Sequence, residues 1–297
     1  MTHGRGIPFT KVHGLGNDFV LVDAIAKPDL ATLDFASLAP TWCDRHTGIG
    51  ADGVLVLCRA DGQGATARMR IFNSDGGEAE MCGNGVRCVA RVIAERHEEL
   101  LDAGGVRVQV GNGAASRVID MRVHRDAAGR FAAAEVNMGW PRLKPELIPV
   151  AAGAAVSESP TVVQVSLPGR ATLRAACVNM GNPHAVIFVE RVADVAVEEL
   201  GPLIERFGAF PQRTNVQFVE VVSRTHARVR TWERGAGATL ACGTGACGVV
   251  VAGALTKRLE SAAVVSLPGG DLSIRWERES GDVWMTGPAE VVFDGLL

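Results

Sequence analysis

Tyrosine is absent from this chain of 297 residues, and aromatic residues make up only 5% of it. Long apolar runs are also missing. The longest, such as ACGVVVAGAL at 246–255, fall short of the ~20 residues that a membrane-spanning helix needs. The N-terminal segment has no apolar stretch of signal-peptide length. We therefore expect a soluble, cytoplasmic protein that has no membrane as a partner.

Neither sign of charge dominates the chain. Its 30 Lys and Arg residues stand against 33 Asp and Glu residues, which gives a net charge of −3 with both signs mixed throughout. Nucleic acids and anionic membranes select clustered positive charge, so we expect neither as a partner. The hydrophobic fraction of 47% is typical of a globular protein with a sizeable core. The length suggests two domains of roughly 100–150 residues each.

Disulfide and metal-binding cysteine patterns are missing as well. The seven cysteines are odd in number, and they show no C-x-x-C spacing. Four of them form two local pairs, Cys82 with Cys88 and Cys242 with Cys247, but no histidine is near in sequence, so we expect no metal site. Two distant thiols that met in the fold could still form a disulfide, which leaves a redox protein open as an alternative. Apart from Cys82 and Cys242, we expect the cysteines to pack as small hydrophobic side chains: Cys43, Cys58, Cys88, Cys177 and Cys247.

Short strand-like runs bounded by Gly, Asp or Asn recur through both halves, whereas helical patterns are few. One predicted helix, after residue 82, puts Val86, Val89 and Ile93 on one face and arginine and glutamate on the other. A second, at 244–259, is apolar nearly all round and is predicted to be buried, and a third, at 194–207, is amphipathic. Many strands with an apolar helix in each half predict an α+β fold of two similar domains, with the change of domain near DAAGRF at 126–131.

A Cys-Gly-polar-Gly sequence occurs twice, as MCGNGVRC at 81–88 and LACGTGACG at 240–248, each time just before a helical pattern. A helix start presents N–H groups without intrahelical partners, and its dipole favours anions by up to ~1–2 kcal/mol. A thiol placed there can have a lowered pKa, and the same N–H groups can hold a carboxylate. Two such helix starts around one small anion suit removal of a proton from one face of a carbon and its return to the other. Cys82 and Cys242 would then be the base and the acid.

Two segments also match the G-x-G-x-x-G pattern of dinucleotide-binding loops, GIGADG at 48–53 and GTGACG at 243–248. The first precedes a strand-like run rather than a helix, and the second follows a Gly-rich segment rather than a strand. We therefore do not expect a nucleotide cofactor.

Six motifs together make the chain resemble the diaminopimelate epimerases from end to end: KVHGLGNDF, GIGADG, FNSDGGEAEMCGNGVRC, NMGNPHAVIF, TNVQF and ERGAGATLACGTGACG. Members of that family interconvert LL- and meso-diaminopimelate without pyridoxal phosphate, in bacterial lysine and peptidoglycan precursor synthesis. The resemblance implies two epimerase domains, residues 1–131 completed by a strand at about 286–297 and residues 132–285. Each would be a curled, mostly antiparallel sheet around a central helix. It also implies that diaminopimelate is the substrate, that no cofactor is used and that the protein is a homodimer.

The same resemblance implies the residues of the site. Cys82 and Cys242 would be the acid–base pair. The reacting α-carboxylate would be held at the helix starts by Gly83, Asn84, Gly243 and Thr244. The rest of the substrate would be bound by Asn17, Asn73, Asn182, Asn215, Glu233 and Arg234, with His184 orienting the pocket. In charge terms, Arg234 suits the distal carboxylate and Glu233 the distal ammonium.

The chain departs from the family pattern at three positions. Ala238 stands where the family usually has Glu, Gly53 where some members have a substrate-contacting Gln, and Trp232 where Tyr is frequent. Another racemase or isomerase of the same fold, such as a proline racemase, remains an alternative function, and so does a redox or metal-binding thiol protein.

Overall fold

The computed structural model describes residues 6–62, 64–113, 116–158 and 160–297. In these residues the strands are β1 (Pro8–Gly14), β2 (Asn17–Asp23), β3 (Gly53–Arg59), β4 (Ala67–Asn73), β5 (Glu78–Ala79), β6 (Gly105–Val110), β7 (Arg117–Arg125), β8 (Phe131–Asn137), β9 (Ala155–Glu158), β10 (Thr161–Val165), β11 (Leu173–Asn179), β12 (Pro183–Val189), β13 (Asn215–Ser223), β14 (His226–Glu233), β15 (Gly237–Thr239), β16 (Ala262–Leu267), β17 (Gly270–Trp276), β18 (Val283–Gly287) and β19 (Glu290–Leu296). The α-helices are α1 (Phe35–Cys43), α2 (Gly83–Arg96), α3 (Val197–Glu205) and α4 (Gly243–Leu255). Within the described ranges, no helix combines the length and the apolar character that crossing a membrane requires.

The chain divides into two compact units. Unit 1 extends to Val136 and also contains Gly287–Leu297, and unit 2 is Asn137–Thr286. The turn at 126–131, where the sequence suggests a change of domain, joins β7 to β8. Across this turn the N–H of Asp126 donates to the carbonyl oxygen of Arg130 at 2.8 Å. Most of β8 belongs to unit 1 because it pairs with β7 in antiparallel register.

Antiparallel pairing dominates the sheet of unit 1. β1 pairs with β2, β3 with β4, β6 with β7 and β7 with β8 in antiparallel orientation, while β2 with β3 and β4 with β6 are parallel. Parallel neighbours need a crossover connection, and the connections here contain α1 and α2. β19 pairs antiparallel with β1, with Pro8 opposite Leu296.

Unit 2 repeats this order strand by strand. β11 pairs with β12, β13 with β14, β16 with β17 and β17 with β18 in antiparallel orientation, while β12 with β13 and β14 with β16 are parallel. The crossovers contain α3 and α4, as those of unit 1 contain α1 and α2. β10 pairs antiparallel with β11, in the position that β19 takes beside β1. The predicted α+β fold of two similar, mostly antiparallel halves is confirmed.

Helices α2 and α4 are the central helices of their units. α2 contacts β1, β3, β4, β7 and β19, and its Val86, Val89 and Ile93 are fully buried, in agreement with the apolar pattern. α4 contacts β11, β12, β13, β16 and β17, and its residues 249–252 are also fully buried. Each sheet therefore wraps around a helix that begins directly after one of the two repeated cysteines.

Helix α1 is not among the helices that the sequence pattern predicts. Pro40 lies inside it, and proline normally argues against a helix interior. Its start does carry a signal, because the carboxylate of Asp34 accepts a hydrogen bond from the N–H of Ser37 at 3.3 Å as an N-cap. Phe35 and Trp42 anchor the helix in the core, with ring centroids 6.1 Å apart.

Candidate active site

Cys82 stands at the start of α2. Its backbone is extended (φ −136°, ψ 119°), and its carbonyl oxygen accepts a helical hydrogen bond from the N–H of Val86 at 2.9 Å. In the described residues its side chain makes no capping hydrogen bond, and the N–H groups of Gly83 and Asn84 in the first turn have no acceptor within the helix. Sγ lies 3.6 Å from Oδ1 of Asn17, and the residue is partly exposed. The helix start therefore presents a thiol beside backbone donors.

A chain of hydrogen bonds connects the interior of α2 to a carboxylate through Asn84 and Asn17. Arg87, which is fully buried, donates from Nη2 to Oδ1 of Asn84 at 2.9 Å. Nδ2 of Asn84 donates to Oδ1 of Asn17 at 3.1 Å, and Nδ2 of Asn17 donates to Oδ2 of Asp52 at 2.6 Å. The sequence pattern puts Arg87 on the polar face of its helix. That expectation is wrong, because the guanidinium is buried against the side chain of Asn84 and backbone carbonyl groups of unit 1.

Asp52 belongs to a cluster of charges beside the start of β2. Nη2 of Arg45 donates to Oδ1 of Asp52 at 2.8 Å and to Oδ1 of Asp18 at 2.7 Å. Burial raises the pKa of Asp18, but hydrogen bonds from Arg45 and Lys11 outweigh it and hold that pKa below its ordinary value. The N–H of Asp18 also donates to Oδ2 of Asp52 at 3.1 Å. Asp52 therefore accepts hydrogen bonds on both of its oxygens.

Cys242 occupies the equivalent position at the start of α4, in different surroundings. It is 4% exposed, its backbone is extended (φ −122°, ψ 102°), and Sγ lies 3.6 Å from Oγ1 of Thr244. Burial raises the pKa of this thiol well above its ordinary value, and the charge of Glu233 raises it further, whereas the Thr244 hydroxyl and the Gly245 N–H oppose the shift. A helix start by itself lowers a thiol pKa. At Cys242 the loss of hydration outweighs that effect.

Glu233 is held beside Cys242 by the short hairpin of β14 and β15. Oγ1 of Thr239 donates to Oε1 of Glu233 at 2.6 Å, and the charge of Glu233 raises the pKa of the Cys242 thiol. Ala238, one of the departures from the family pattern, is exposed and lies opposite Trp232 in this hairpin. Its small side chain leaves the contact between Thr239 and Glu233 in place.

Asn215, at the start of β13, connects the start of β12 to the turn after β14. Its Nδ2 donates to the carbonyl oxygen of Pro183 at 2.8 Å, and its Oδ1 accepts from the N–H of Arg234 at 3.0 Å. At the start of β12, Nε2 of His184 lies 2.8 Å from Oδ1 of Asn182. The imidazole is fully buried, and burial lowers its pKa to about 3, so the ring is neutral at physiological pH.

The structure places most of the sequence-predicted residues in two thiol clusters, one in each unit. The thiol cluster of unit 1 contains Asn17, Cys82, Gly83 and Asn84. The thiol cluster of unit 2 contains Glu233, Cys242, Gly243 and Thr244, and the segments that Asn215 connects carry Asn182, His184 and Arg234. Three residues that bind these groups were not predicted: Asp52, Arg87 and Thr239.

Asn73 stands apart from the amide chain of unit 1. It ends β4, is exposed, and forms a backbone turn with Gly76 and Gly77. Its partner across the strands is Gly53, where a Cβ would lie 2.6 Å from the carbonyl oxygen of Phe72. The side chain that some family members carry at position 53 therefore requires a different backbone path. In the part of the chain that the structure describes, no group of three or more His, Cys, Asp or Glu side chains is placed to hold a metal ion.

Comparison with known proteins settles which family this is. The family model for diaminopimelate epimerase matches residues 9–143 and 176–292. The chain belongs to the diaminopimelate epimerase family. Diaminopimelate epimerase of Carboxydothermus hydrogenoformans is 47% identical, with 97% of this chain and 98% of that protein aligned. Diaminopimelate epimerase of Nostoc punctiforme is 45% identical, with 98% of this chain and 99% of that protein aligned.

Solved structures share the fold at much lower identity than these diaminopimelate epimerases. A hydroxyproline epimerase from Agrobacterium vitis, determined with trans-4-hydroxy-L-proline bound, is 13% identical and has a TM-score of 0.68. The match covers 99% of this chain and 93% of that chain. At this identity the likeness concerns the fold alone.

Proposed function

We propose that this protein interconverts LL- and meso-diaminopimelate without a cofactor, in the synthesis of lysine and peptidoglycan precursors. The substrate is supported by relatives named diaminopimelate epimerase, which are 45% and 47% identical over almost the whole chain. The mechanism rests on one observation: in each of two units with the same strand order, a thiol stands at the start of the central helix. Inversion at carbon needs an acid and a base on opposite faces, which accounts for two thiols rather than one.

In the proposed reaction, one thiolate removes the α-proton while the other thiol donates its proton to the opposite face of the same carbon. Each turnover exchanges the protonation of Cys82 and Cys242, and the reverse reaction restores it, so no oxidant or other co-reactant is consumed. Negative charge that develops on the reacting α-carboxylate would be stabilised by backbone N–H groups at the two helix starts, those of Gly83, Asn84, Gly243 and Thr244.

The raised pKa of Cys242 suits this chemistry. Burial and the charge of Glu233 keep the thiol protonated at neutral pH, which prepares it to act as an acid. When the reaction runs in the other direction, the same surroundings make its thiolate a stronger base, which a weakly acidic α-proton needs. Hydrogen bonds from Thr244 and Gly245 lower the cost of forming that thiolate.

The surroundings of Cys242 change the role proposed for Glu233. Its charge raises the pKa of the Cys242 thiol, so we place its carboxylate near the reacting α-ammonium rather than at the distal ammonium that its sequence position alone suggests. The exposed guanidinium of Arg234 remains the proposed partner of the distal carboxylate. The remaining substrate contacts are assigned to the amides Asn17, Asn73, Asn182 and Asn215, with the neutral His184 orienting the pocket.

Incubation of the reduced protein with LL-diaminopimelate in heavy water, without added pyridoxal phosphate, tests the proposed reaction. We expect meso product that carries deuterium at one α-carbon. Each of Cys82→Ala and Cys242→Ala should abolish product formation while the fold persists. No exchange with fully reduced thiols would overturn the function, and near-full activity in either variant would overturn the two-thiol mechanism.

The chain offers matched controls for these two variants. Cys88 lies on α2 and Cys247 on α4, and both are buried in the core of their units. Because they are on the same helices as the proposed catalytic thiols, Cys88→Ala and Cys247→Ala report the effect of losing a cysteine from each helix. We expect both variants to retain turnover.

The same assay separates the alternative functions. A proline racemase of this fold would exchange the α-proton of L-proline and leave diaminopimelate unchanged. A redox or metal-binding protein would show no turnover of either amino acid, and Cys82 and Cys242 would instead titrate as a disulfide or bind zinc stoichiometrically. The adjacent acidic and basic residues Glu233 and Arg234 favour a substrate with charged groups at both ends over proline.

We further propose that the protein works as a homodimer in the cytoplasm, as the family resemblance implies. Three apolar side chains on β19 are exposed and would suit a subunit interface: Val292, Phe293 and Leu296. Light scattering after gel filtration should give the mass of two chains, and Phe293→Arg should shift the protein towards the mass of one. A wild-type protein with the mass of one chain would refute the dimer, and fractionation of the source cells would test the location.

A further inference from the structure

The orientation of the Asn17 amide is set from two sides by groups that cannot exchange roles. Arg87 can only donate, so Asn84 must present Oδ1 to it and Nδ2 to Asn17. Asp52, as a carboxylate, can only accept, so Asn17 must present Nδ2 to it. Both requirements lead to one arrangement, in which Oδ1 of Asn17 faces Cys82 with 3.6 Å to Sγ.

The carboxylate of Asp52 is itself held in place. Its Oδ2 accepts from the N–H of Asp18 at 3.1 Å as well as from Asn17, and its Oδ1 accepts from Arg45 at 2.8 Å. Rotation of the carboxylate away from Asn17 would therefore also break its bonds with Asp18 and Arg45. The acceptor that anchors the amide is fixed from three directions.

We propose that Asp52 is a positioning residue of the reaction, which holds the Asn17 amide with an acceptor oxygen towards Cys82 and thereby favours the protonated thiol. This inference rests on the proposed function, because it concerns the protonation of one of the two acid–base thiols. An S–H group can donate to the amide oxygen, whereas a thiolate in the same place meets the negative end of the amide dipole. A reversed amide would instead donate from Nδ2 and favour the thiolate.

Two substitutions of Asp52 separate amide orientation from charge. Asp52→Ala removes the acceptor, so Nδ2 of Asn17 loses its partner and the amide can turn towards Cys82. Asp52→Asn removes the same charge but keeps one oxygen. That oxygen takes the Oδ2 position and accepts from Nδ2 of Asn17 and the N–H of Asp18. The new amino group then faces Arg45, which is more than half exposed and keeps its hydrogen bonds to Asp18.

Alkylation of the full chain by iodoacetamide, from about pH 6 to about pH 10 and quantified on the peptide that contains Cys82, tests the inference. Because the thiolate is the reactive form, the midpoint of the rate profile reports the protonation of Cys82. We expect Asp52→Ala to lower that midpoint by about one pH unit, which is an increase of about tenfold in rate at neutral pH, and Asp52→Asn to stay close to the wild type. Equal shifts in both variants would assign the effect to charge and overturn the proposal, and so would unchanged midpoints in both.

Cys88 provides an internal control on the same helix. Burial raises its pKa to about 12, so its alkylation reports opening of α2 rather than a local change of protonation. A parallel rise at Cys88 and Cys82 in Asp52→Ala would show that Asp52 acts on helix stability alone, and would overturn the positioning role. The readout needs no substrate, so failure of the chain to epimerise diaminopimelate and failure of this inference are distinguishable.

Discussion

Replacement of Gly201 by alanine should destabilise unit 2 although alanine is the better helix former. Gly201 lies inside α3, and a Cβ there would be 2.4 Å from Cγ and 2.7 Å from Cβ of Trp232. Rotation of the indole cannot relieve the second overlap, because the Cβ of Trp232 is fixed by the backbone of β14. Helix α3 and strand β14 would have to separate. Gly201 thus makes room for Trp232 at a position where the family frequently has Tyr.

The size of this destabilisation follows from three contributions. Overpacking of a core costs about 1–3 kcal/mol, and an overlap with an atom fixed by the backbone belongs at the upper end of that range. Separation also weakens the hydrogen bond from Nε1 of Trp232 to Oε2 of Glu205, which is 2.7 Å long, and a bond of this charge-assisted kind contributes about 1.5 kcal/mol. The helix propensity of alanine offsets about 1 kcal/mol. We expect the free energy of unfolding to fall by about 3 kcal/mol.

Urea unfolding followed by tryptophan fluorescence reports mainly on the stability of unit 2. Four of the five tryptophans lie in that unit: Trp140, Trp232, Trp276 and Trp284. Gly208→Ala is the matched control. Apart from Gly208 and its two chain neighbours, no atom of the described residues lies within 4 Å of a Cβ at Gly208, so we expect a change below about 0.5 kcal/mol. A Gly201→Ala protein as stable as the wild type, or more stable, would refute the packing argument.

Other changes test the electrostatics and packing around the two thiol clusters. Glu233→Gln should lower the pH midpoint of Cys242 alkylation, because it removes a charge that raises the pKa of that thiol; an unchanged midpoint would leave burial as the whole cause. Gly53→Gln should cost about 2 kcal/mol in urea unfolding, because a Cβ there meets the backbone oxygen of Phe72 at 2.6 Å; a wild-type midpoint would contradict this. Burial lowers the pKa of His184 from 6.5 to about 3, so between these values only the unfolded chain binds the proton. The stability that this histidine contributes should be intact above about pH 6.5 and should fall as the pH is lowered towards about 3. The free energy of unfolding should change by up to about 1.4 kcal/mol per pH unit in this range, and His184→Gln should lack this dependence. Equal slopes in the two proteins would count against a buried, neutral imidazole.

The central helices can be predicted from the sequence because their signals are local. A Cys-Gly-polar-Gly turn followed by an apolar pattern of helical period marks a helix start, and α2 and α4 begin directly after Cys82 and Cys242. The alternating runs likewise predict most strands. The parallel crossovers and the pairing of β19 with β1 join segments that are distant in the chain. No local sequence pattern indicates which strands will pair in this way.

The polar partners of the thiols depend on the tertiary structure. Arg87 resembles a surface residue on its helix, and its burial requires the carbonyl oxygen of Pro288, which is 201 positions away in the chain and 3.1 Å from Nε. Asp52 and Thr239 lie within recognised motifs, but the direction of their side chains is decided by the turns around them. The raised pKa of Cys242 likewise depends on burial that only the packed helix and sheet create.

The strand that completes unit 1 follows all of unit 2 in the chain, since β19 pairs with β1. During synthesis, all of unit 2 is therefore made before β19, and it can close its sheet with β10 from its own residues. The sheet of unit 1 stays incomplete until β19 is made, and Arg87 lacks the carbonyl oxygen of Pro288 as an acceptor until the same stage. Protease digestion of stalled nascent chains should find β1 cleavable until β19 has emerged, and early protection of β1 would contradict this order. A chain that ended before Pro288 would leave Cys82 on a helix whose buried Arg87 lacks one of its acceptors, the Pro288 carbonyl oxygen.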